Sequence, residues 1–291
     1  MRLFVILSSL IFLLGCDNRR DIAFYHWKSS CNIDSSFKYP IYLKVLDISS
    51  NGTYIKSRCK NIKYTPVVYI DNGAFKNGIN ISEIVLKNIS KNKKEVQFDC
   101  DWTQSTKESY FKFLKEMRKH YNRITATIRL HQIKYQKNTG VPPVNGGVLM
   151  LYNMSDFLDI RTKNYILDLA EAKKYLKDFK GYPLKLDLAL PIYSMGTLIR
   201  YGRVVKLIDG VKIKDLDSKN FKHIKTNRYE VLKTQYFKGT LIYKGDILRV
   251  DEVSLDMLKR AVSIIPFNFD RIIYFRYSNL GSWDIKQLEN I

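Results

Sequence analysis

The sequence alternates short β-type segments with segments of helical periodicity, and this alternation limits the possible folds more than any other feature. Eight runs of five to nine residues are rich in Ile, Val, Leu, Tyr and Phe, which is typical of strands. The predicted strands are Ala23–Trp27, Ile41–Asp47, Val67–Asp71, Val96–Trp102, Ile124–Gln132, Val148–Asn153, Leu184–Pro191 and Ile272–Tyr277.

Several intervals between these strands predict amphipathic helices. Between Thr106 and Tyr121 the apolar residues recur at positions i, i+3, i+4 and i+7. Ser105, followed three residues later by Glu108, predicts a capping box at the start of this helix. Two further helices are predicted over residues 164–180 and 254–265.

Strands that alternate with amphipathic helices indicate βα units and a parallel sheet. Eight such strands favour an α/β protein built as a closed (β/α)8 TIM barrel. A doubly wound open sheet is the alternative. The first strand, however, lacks the Gly-rich phosphate turn that a dinucleotide-binding sheet of that kind would need.

Residues 197–251 interrupt the alternation. They form a series of short β-type pieces with turns at Asp209-Gly210 and Lys244-Gly245. We interpret this segment as an α+β subdomain inserted between the seventh strand and its following helix. The predicted organisation is a signal peptide over residues 1–15, barrel strands one to seven over 16–196, the insertion over 197–251, and the last helix and eighth strand over 252–291.

The first residues, MRLFVILSSLIFLLGC, place a basic residue before a short apolar run that ends in Leu14-Gly15-Cys16. This pattern resembles the signal and lipobox of bacterial lipoproteins. The resemblance implies that Cys16 becomes the first residue and carries acyl chains such as palmitate, which would anchor the protein to a bacterial membrane. The alternative is a plain cleavable signal with an incidental cysteine. Either way, we expect the mature chain in the cell envelope, on the periplasmic or surface side.

The balance of charges is strongly basic, with 49 Lys and Arg against 28 Asp and Glu and a formal net charge of +21. Such a charge can favour nucleic acid or an anionic membrane surface. The lysines are spread along the whole sequence, however, and no nucleic-acid-binding module is recognisable. We therefore expect no nucleic acid partner.

The cysteines and histidines predict neither a metal site nor a cofactor. An oxidising compartment would permit a disulfide between Cys31 and Cys59, while Cys100 lies in an apolar strand and is expected to be a free core thiol. The cysteine spacing matches no zinc motif, and the four histidines show no His-x-His or His-x-x-x-His spacing.

Two aspartates interrupt the strand that begins at Val96. Because successive side chains of a strand point to opposite faces, Val96, Phe98, Cys100 and Trp102 should pack against helices. Gln97, Asp99, Asp101 and Thr103 should then point into the barrel. Carboxylates at the C-terminal end of a barrel strand lie where such enzymes carry their chemistry. Asp99 and Asp101 are therefore the predicted catalytic residues.

Residues 96–103, VQFDCDWT, resemble the fourth-strand motif Asp-x-x-Asp-x-Asp-x-Glu of family 18 glycoside hydrolases, the chitinases and endo-N-acetylglucosaminidases. Asp99 and Asp101 match the second and third acids, whereas Val96 replaces the first and Thr103 stands in place of the glutamic acid. The run VLMLYN resembles the Met-x-Tyr-Asp pattern of the sixth strand, with Asn153 in place of the aspartate. The run QFDCDWTQS is also similar to stretches of uncharacterised bacterial barrel proteins.

The resemblance implies a TIM barrel that binds or hydrolyses glycan. In that family the glutamic acid protonates the glycosidic oxygen while the acetamido group of the substrate attacks. A threonine hydroxyl cannot act as a general acid near neutral pH, so Thr103 puts hydrolysis in question. Three readings stay open: a glycoside hydrolase that uses Asp99 and Asp101, a non-catalytic glycan-binding or scaffolding barrel, and an envelope protein without a sugar ligand.

Several residues at strand ends are candidates for contact with a ligand. Aromatic rings there could stack on sugar rings, and Arg129 could pair with Asp99 or Asp101. The predicted substrate-binding residues are Trp27, Trp102, Arg129, His131, Tyr152, Tyr193 and Arg276. Other polar candidates without a motif are His26, Asp47, Asp71 and Asp156.

Overall fold

The fold is a closed barrel, seen in a computed structural model that describes residues 20–57, 59 and 62–291. In this described part of the chain, eight parallel strands pair in chain order, and strand 1 pairs with both strand 2 and strand 8. Closure confirms the TIM barrel and excludes the doubly wound open sheet. Strands 1 to 8 are Asp21–His26, Ile41–Ile48, Thr65–Ile70, Val96–Asp99, Ile124–Arg129, Gly146–Met150, Leu186–Pro191 and Arg271–Phe275.

The alternation of side chains along each strand separates two apolar layers. Phe24 and Phe98 belong to the large cluster between the barrel and its helices. Tyr25, Val148 and Ile273 belong to a smaller cluster inside the barrel. Strands that are buried on both faces read as nearly continuous apolar runs, which is why the sequence predicts them well.

Helices cover the outside of the barrel after strands 3 to 8. They are Ile81–Asn88, Lys107–Met117, Leu130–Lys134, Gln136–Thr139, Leu169–Leu176, Leu255–Ser263 and Ile285–Glu289, with 3-10 turns at Asn72–Phe75, Ile213–Asp215 and Tyr277–Ser282. Strands 1 and 2 are joined by a loop, residues 27–40. Among the described residues, no helix is both long enough and apolar enough to cross a membrane.

The capping box predicted at Ser105 is wrong. The helix after strand 4 has Thr106 as its N-cap, and Ser105 Oγ contacts Thr103 Oγ1 at 3.0 Å instead of a helix N–H group. Residues 103–106, TQST, form a turn between strand 4 and this helix. Within the turn, Thr103 N donates a hydrogen bond to Thr106 Oγ1 at 3.0 Å. By contrast, Ser254 caps the helix after the insertion, because its Oγ accepts from the N–H of Met257 at 3.2 Å.

The insertion follows strand 7 at the C-terminal end of the barrel. Residues 195–251, all of them described, form a five-stranded antiparallel sheet and a separate hairpin, with one 3-10 turn of three residues. Leu198, Phe221 and Leu248 belong to a small core of its own. Its strands are Met195–Arg200, Arg203–Asp209, Phe221–Lys225, Arg228–Val231, Gln235–Phe237, Thr240–Ile242 and Ile247–Asp251.

A disulfide connects the loops that follow strands 1 and 2. Cys31 and Cys59 are bonded with their Cα atoms 5.4 Å apart, a normal separation for a disulfide. Cys100 is buried and free. The predicted lipidation site, Cys16, lies outside the described residues.

Candidate functional site

The C-terminal ends of the barrel strands surround an opening that we call the mouth, and Asp99 lies at its base. Asp99 is the last residue of strand 4 and is only 4% exposed. Thr127 Oγ1 donates a hydrogen bond to Asp99 Oδ1 at 2.6 Å. Burial, together with the nearby charge of Asp101, raises the pKa of Asp99 to about 6, although the charge of Arg129 opposes this shift.

Asp101 lies on the same side of the chain as Asp99, nearer to solvent, and its side chain is about half exposed. Arg129, the last residue of strand 5, binds both of its oxygens: Nε lies 2.6 Å from Oδ1 and Nη2 lies 2.9 Å from Oδ2. Of the two pairings that the sequence allows for Arg129, the structure forms this one. The guanidinium keeps N–H donors that are not used by Asp101.

Aromatic rings pack together inside the mouth. Tyr152 and Phe275 are stacked, with ring centroids 5.0 Å apart and an interplanar angle of 16°. The rings of Trp27 and Tyr193 pack against Phe275 in T-shaped arrangements, with centroid separations of 5.7 Å and 5.6 Å. We call these four residues the aromatic floor. Burial and the charge of Asp99 raise the pKa of Tyr152 well above its ordinary value, so its hydroxyl stays neutral.

Strands 2 and 3 add residues to the mouth that sequence reasoning missed. Lys44 Nζ lies 2.5 Å from Asp47 Oδ2 and 5.4 Å from the centroid of the Trp27 ring. It also lies 5.9 Å from the ring centroid of Tyr69. The alternation of IYLKVLDI places Lys44 on the same face as Tyr42, which lies inside the barrel, and this was the available signal.

A small cavity opens at the mouth. The cavity beside Arg129 measures about 70 Å³ and is also lined by His131, Tyr152, Asn153 and Tyr175. Pockets that enclose small molecules usually measure roughly 300–1,000 Å³. The cavity beside Arg129 is therefore smaller than such pockets.

Solved structures with a similar barrel belong to enzymes that act on glycans, among them the spore cortex-lytic enzyme SleL of Bacillus cereus. It shares 14% identity at a TM-score of 0.54, with 94% of this chain and 74% of that one covered. The class V chitinase of Nicotiana tobaccum shares 12% identity at a TM-score of 0.57, with 93% and 98% covered. In fold, this chain is similar to the family 18 chitinases.

A further similar structure is the glycoside hydrolase family 18 N-acetylglucosaminidase of Paenibacillus barengoltzii, with 12% identity, a TM-score of 0.51, and 94% and 98% of the two chains covered. At identities this low, the likeness concerns the fold. No protein-family model and no curated protein matches the sequence.

Thr103 lies at the edge of the chitinase-like mouth, where the family motif has glutamic acid. Its side chain is exposed, and Asn72 Nδ2 lies 3.4 Å from its Oγ1. Strand 4 ends at Asp99, so Asp101 and Thr103 belong to the turn that leads to the next helix.

Trp102 does not reach the mouth of the chitinase-like barrel, which corrects its assignment as a ligand contact. It is 1% exposed and lies on the helix side of the barrel, 5.3 Å from the ring of Tyr110. Its Nε1 donates to the carbonyl oxygen of Thr139 at 2.9 Å. Trp102 therefore belongs, like Phe98, to the apolar cluster between the barrel and its helices.

His131 lies outside strand 5, although the sequence predicts a strand that continues to Gln132. Strand 5 ends at Arg129 and a short helix begins at Leu130, because the side chain of Gln132 accepts the N–H of Arg129 at 2.7 Å. His131 is exposed on the first turn of this helix and borders the mouth cavity.

Tyr193 and Arg276 have structural partners beside the mouth. The Tyr193 hydroxyl donates to Asn153 Oδ1, which joins the segments after strands 6 and 7. Arg276 Nε donates to Asn279 Oδ1 at 2.9 Å, and Arg276 Nη2 donates to Asp209 of the insertion. Arg276 thus connects the end of strand 8 to the insertion.

The remaining polar candidates are engaged in local contacts. Asp71 Oδ1 accepts the N–H of Gly73 at 2.7 Å, and Asp156 Oδ1 accepts the N–H of Leu158 at 2.8 Å. His26 is buried, with Nε2 at 2.8 Å from the carbonyl oxygen of Ser30. In the part of the chain that the structure describes, no group of three His, Cys, Asp or Glu side chains could hold a metal ion.

Proposed function

We propose that this protein is a lipid-anchored envelope protein whose barrel binds a glycan across the mouth without hydrolysing it. The observation that carries the proposal is the Asp101–Arg129 pair beside the aromatic floor. The pair offers fixed charged donors and acceptors for sugar hydroxyl groups. Trp27 and Phe275, the two partly exposed rings of the floor, offer apolar ring surface. A mutant class V chitinase of similar fold has been solved in complex with NAG4, which supports a glycan of N-acetylglucosamine as the first ligand to test.

Binding without hydrolysis follows from the carboxyl groups at the mouth. Cleavage of a glycosidic bond requires an acid that protonates the leaving oxygen. Thr103 cannot supply that proton, and both oxygens of Asp101 accept hydrogen bonds from a permanent cation. Asp99 lies below the rim and is almost fully buried.

One observation favours a hydrolase as the second candidate. The pKa of Asp99 is raised to about 6, so a fraction of this carboxyl group is protonated near neutral pH. If a sugar entered deeply enough to reach Asp99, that group would be the acid. In this case turnover would disappear in Asp99→Asn and would fall as the pH rises above about 6.

Titration of the mature chain with NAG4 by calorimetry, with chromatography of the sugar afterwards, tests the proposal. We expect saturable binding, intact NAG4, and at least a roughly tenfold loss of affinity in Arg129→Met, about the effect of losing a hydrogen bond to a charged group. Arg123→Met is the matched control. Arg123 directly precedes strand 5, so it lies at the opposite end of the barrel from Arg129, and it pairs with Glu95 at 3.1 Å.

Shortened sugar would favour the hydrolase. Absence of binding by the folded wild type would contradict both candidates and would leave the reading of an envelope protein without a sugar ligand.

The anchor is a separate part of the proposal and rests on the sequence MRLFVILSSLIFLLGC. In a bacterial host that processes lipoproteins, we expect a palmitate analogue to label the protein and the protein to sediment with membranes. Cys16→Ala should abolish both results. Equal labelling of Cys16→Ala, or a soluble wild type, would contradict the anchor.

A further inference from the structure

A second cavity, much larger than the one at the mouth, lies on the flank of the barrel. It measures about 620 Å³ and lies between the short helices after strand 5 and the end of the helix after strand 6. We call it the flank groove. Its lining includes Lys134, Tyr135, Lys137, Tyr175, Lys177 and Lys180.

The charge of the flank groove is strongly positive. Four lysines line it, against a single acid, Asp178. Within the described residues, none of these four lysines has a carboxylate within 4.0 Å. The lysines therefore present their charge to whatever occupies the groove, and an anion is the complementary ligand.

Aromatic rings lie beside these cations. Lys134 Nζ is 5.7 Å from the ring centroid of Tyr135 and 5.5 Å from that of Tyr175, and it donates to the carbonyl oxygen of Lys174 at 2.8 Å. Tyr135 is 49% exposed. A sugar ring can stack on such a face while a negative group on the ring reaches the ammonium. Scattered surface lysines would not produce a concave site with this combination.

The flank groove is next to the mouth cavity. Tyr175 lines both cavities, and the helix that carries Lys134 begins directly after Arg129. We infer that the ligand is an anionic glycan, with one part across the mouth and sugars that carry carboxylate or phosphate groups in the flank groove. This inference rests on the proposed glycan-binding function and specifies its ligand class.

The test compares two oligosaccharides that differ in charge alone: a hyaluronan hexasaccharide and the same molecule with its carboxyl groups reduced to alcohols. We expect the wild type to bind the charged form roughly tenfold more tightly, which corresponds to a few exposed ion pairs. This preference should weaken as the salt concentration rises. NAG4 serves as the neutral ligand for the mouth.

The variant that tests the groove changes Lys134, Lys137, Lys177 and Lys180 to Gln. This variant should bind the charged and the reduced hexasaccharide with about equal affinity, while its affinity for NAG4 stays unchanged. The matched control changes four exposed lysines elsewhere to Gln and should keep the preference. These are Lys87, Lys112, Lys115 and Lys119.

The outcomes separate the inference from the proposed function. Equal affinity of the wild type for both hexasaccharides, with NAG4 still bound, would overturn the anionic glycan and leave the mouth as a glycan site. Binding that depends on the groove lysines but not on Arg129 would overturn glycan binding at the mouth. If the groove lysines mattered only for vesicles with anionic lipid, the groove would be a membrane contact and the inference would be wrong.

Discussion

At the scale of single residues, Asp99 is a buried carboxyl group with a raised pKa. The carboxyl group is almost fully buried, and Thr127 Oγ1 donates to it inside the barrel. Burial disfavours its charged form and raises its pKa to about 6, with a smaller contribution from the charge of Asp101.

The raised pKa of Asp99 predicts a pH-dependent stability. Between about pH 4 and pH 6 the folded state holds a proton that the unfolded state has released, so this contribution to stability is lost as the pH rises through about 6. Asp99→Asn keeps an acceptor for Thr127 and cannot ionise. We expect it to match the wild type at pH 4 and to exceed it by about 2–3 kcal/mol at pH 7.

Urea unfolding of both proteins across this pH range measures the difference. Asp217→Asn, an exposed change of the same type, controls for net charge. A difference between Asp99→Asn and the wild type that stays constant from pH 4 to pH 7 would contradict the buried, proton-holding carboxyl group.

Side-chain direction was predictable at this scale because a strand has a period of two. The inward position of Asp99 and the outward position of Phe98 follow from that rule alone. Asp101 lies beyond the end of the strand, where it pairs with Arg129. The rule failed at His131, because the strand ends at Arg129, three residues before its predicted end at Gln132. Strand ends depend on tertiary hydrogen bonds, and a sequence pattern does not reveal those.

At the scale of elements, the helix starts offer a direct comparison between sequence and structure. Ser254 caps the helix Leu255–Ser263, whereas Ser105 caps no helix N–H group. Ser254→Ala should therefore lower the free energy of unfolding by about 1 kcal/mol, the usual value of a lost cap. Ser105→Ala should change it by less than about 0.5 kcal/mol, as surface substitutions do. Chemical denaturation measures both, and equal losses would refute the structural assignment.

The insertion is joined to the loop after strand 6 through Arg249, whose charge is paired within the insertion. Arg249 Nε binds Asp251 Oδ2 at 3.0 Å, and both side chains are fully buried. Arg249 Nη1 also donates to the carbonyl oxygens of Asp159 and Thr162, each at 3.3 Å. Met154, which lies earlier in the same loop, borders the mouth cavity.

Removal of Arg249 should lower the free energy of unfolding much more than removal of an exposed arginine on the loop after strand 6. Arg249→Met leaves Asp251 buried without its cation, which predicts a loss of about 3 kcal/mol or more. Arg161→Met removes a largely exposed partner of Asp159 and should cost less than about 1 kcal/mol. Thermal and urea unfolding measure both losses. Similar losses in the two variants would contradict the stabilising role of the buried Arg249–Asp251 pair.

At the scale of the whole molecule, the sequence predicted the barrel because eight strands and their helices repeat one simple unit. It did not predict the flank groove, because Lys134 and Lys177 are distant in sequence and come together only when two βα units pack side by side. The small mouth cavity was equally hidden, because Arg129, Tyr152 and Tyr175 line it together from different elements of the fold.

The most direct test of the account is a crystal structure of the mature chain grown with NAG4. We predict intact sugar across the rim, with a ring against the aromatic floor and hydroxyl groups within hydrogen-bond distance of Asp101 and Arg129. Cleaved sugar beside Asp99, or sugar bound away from the mouth at concentrations that saturate binding in solution, would contradict the account.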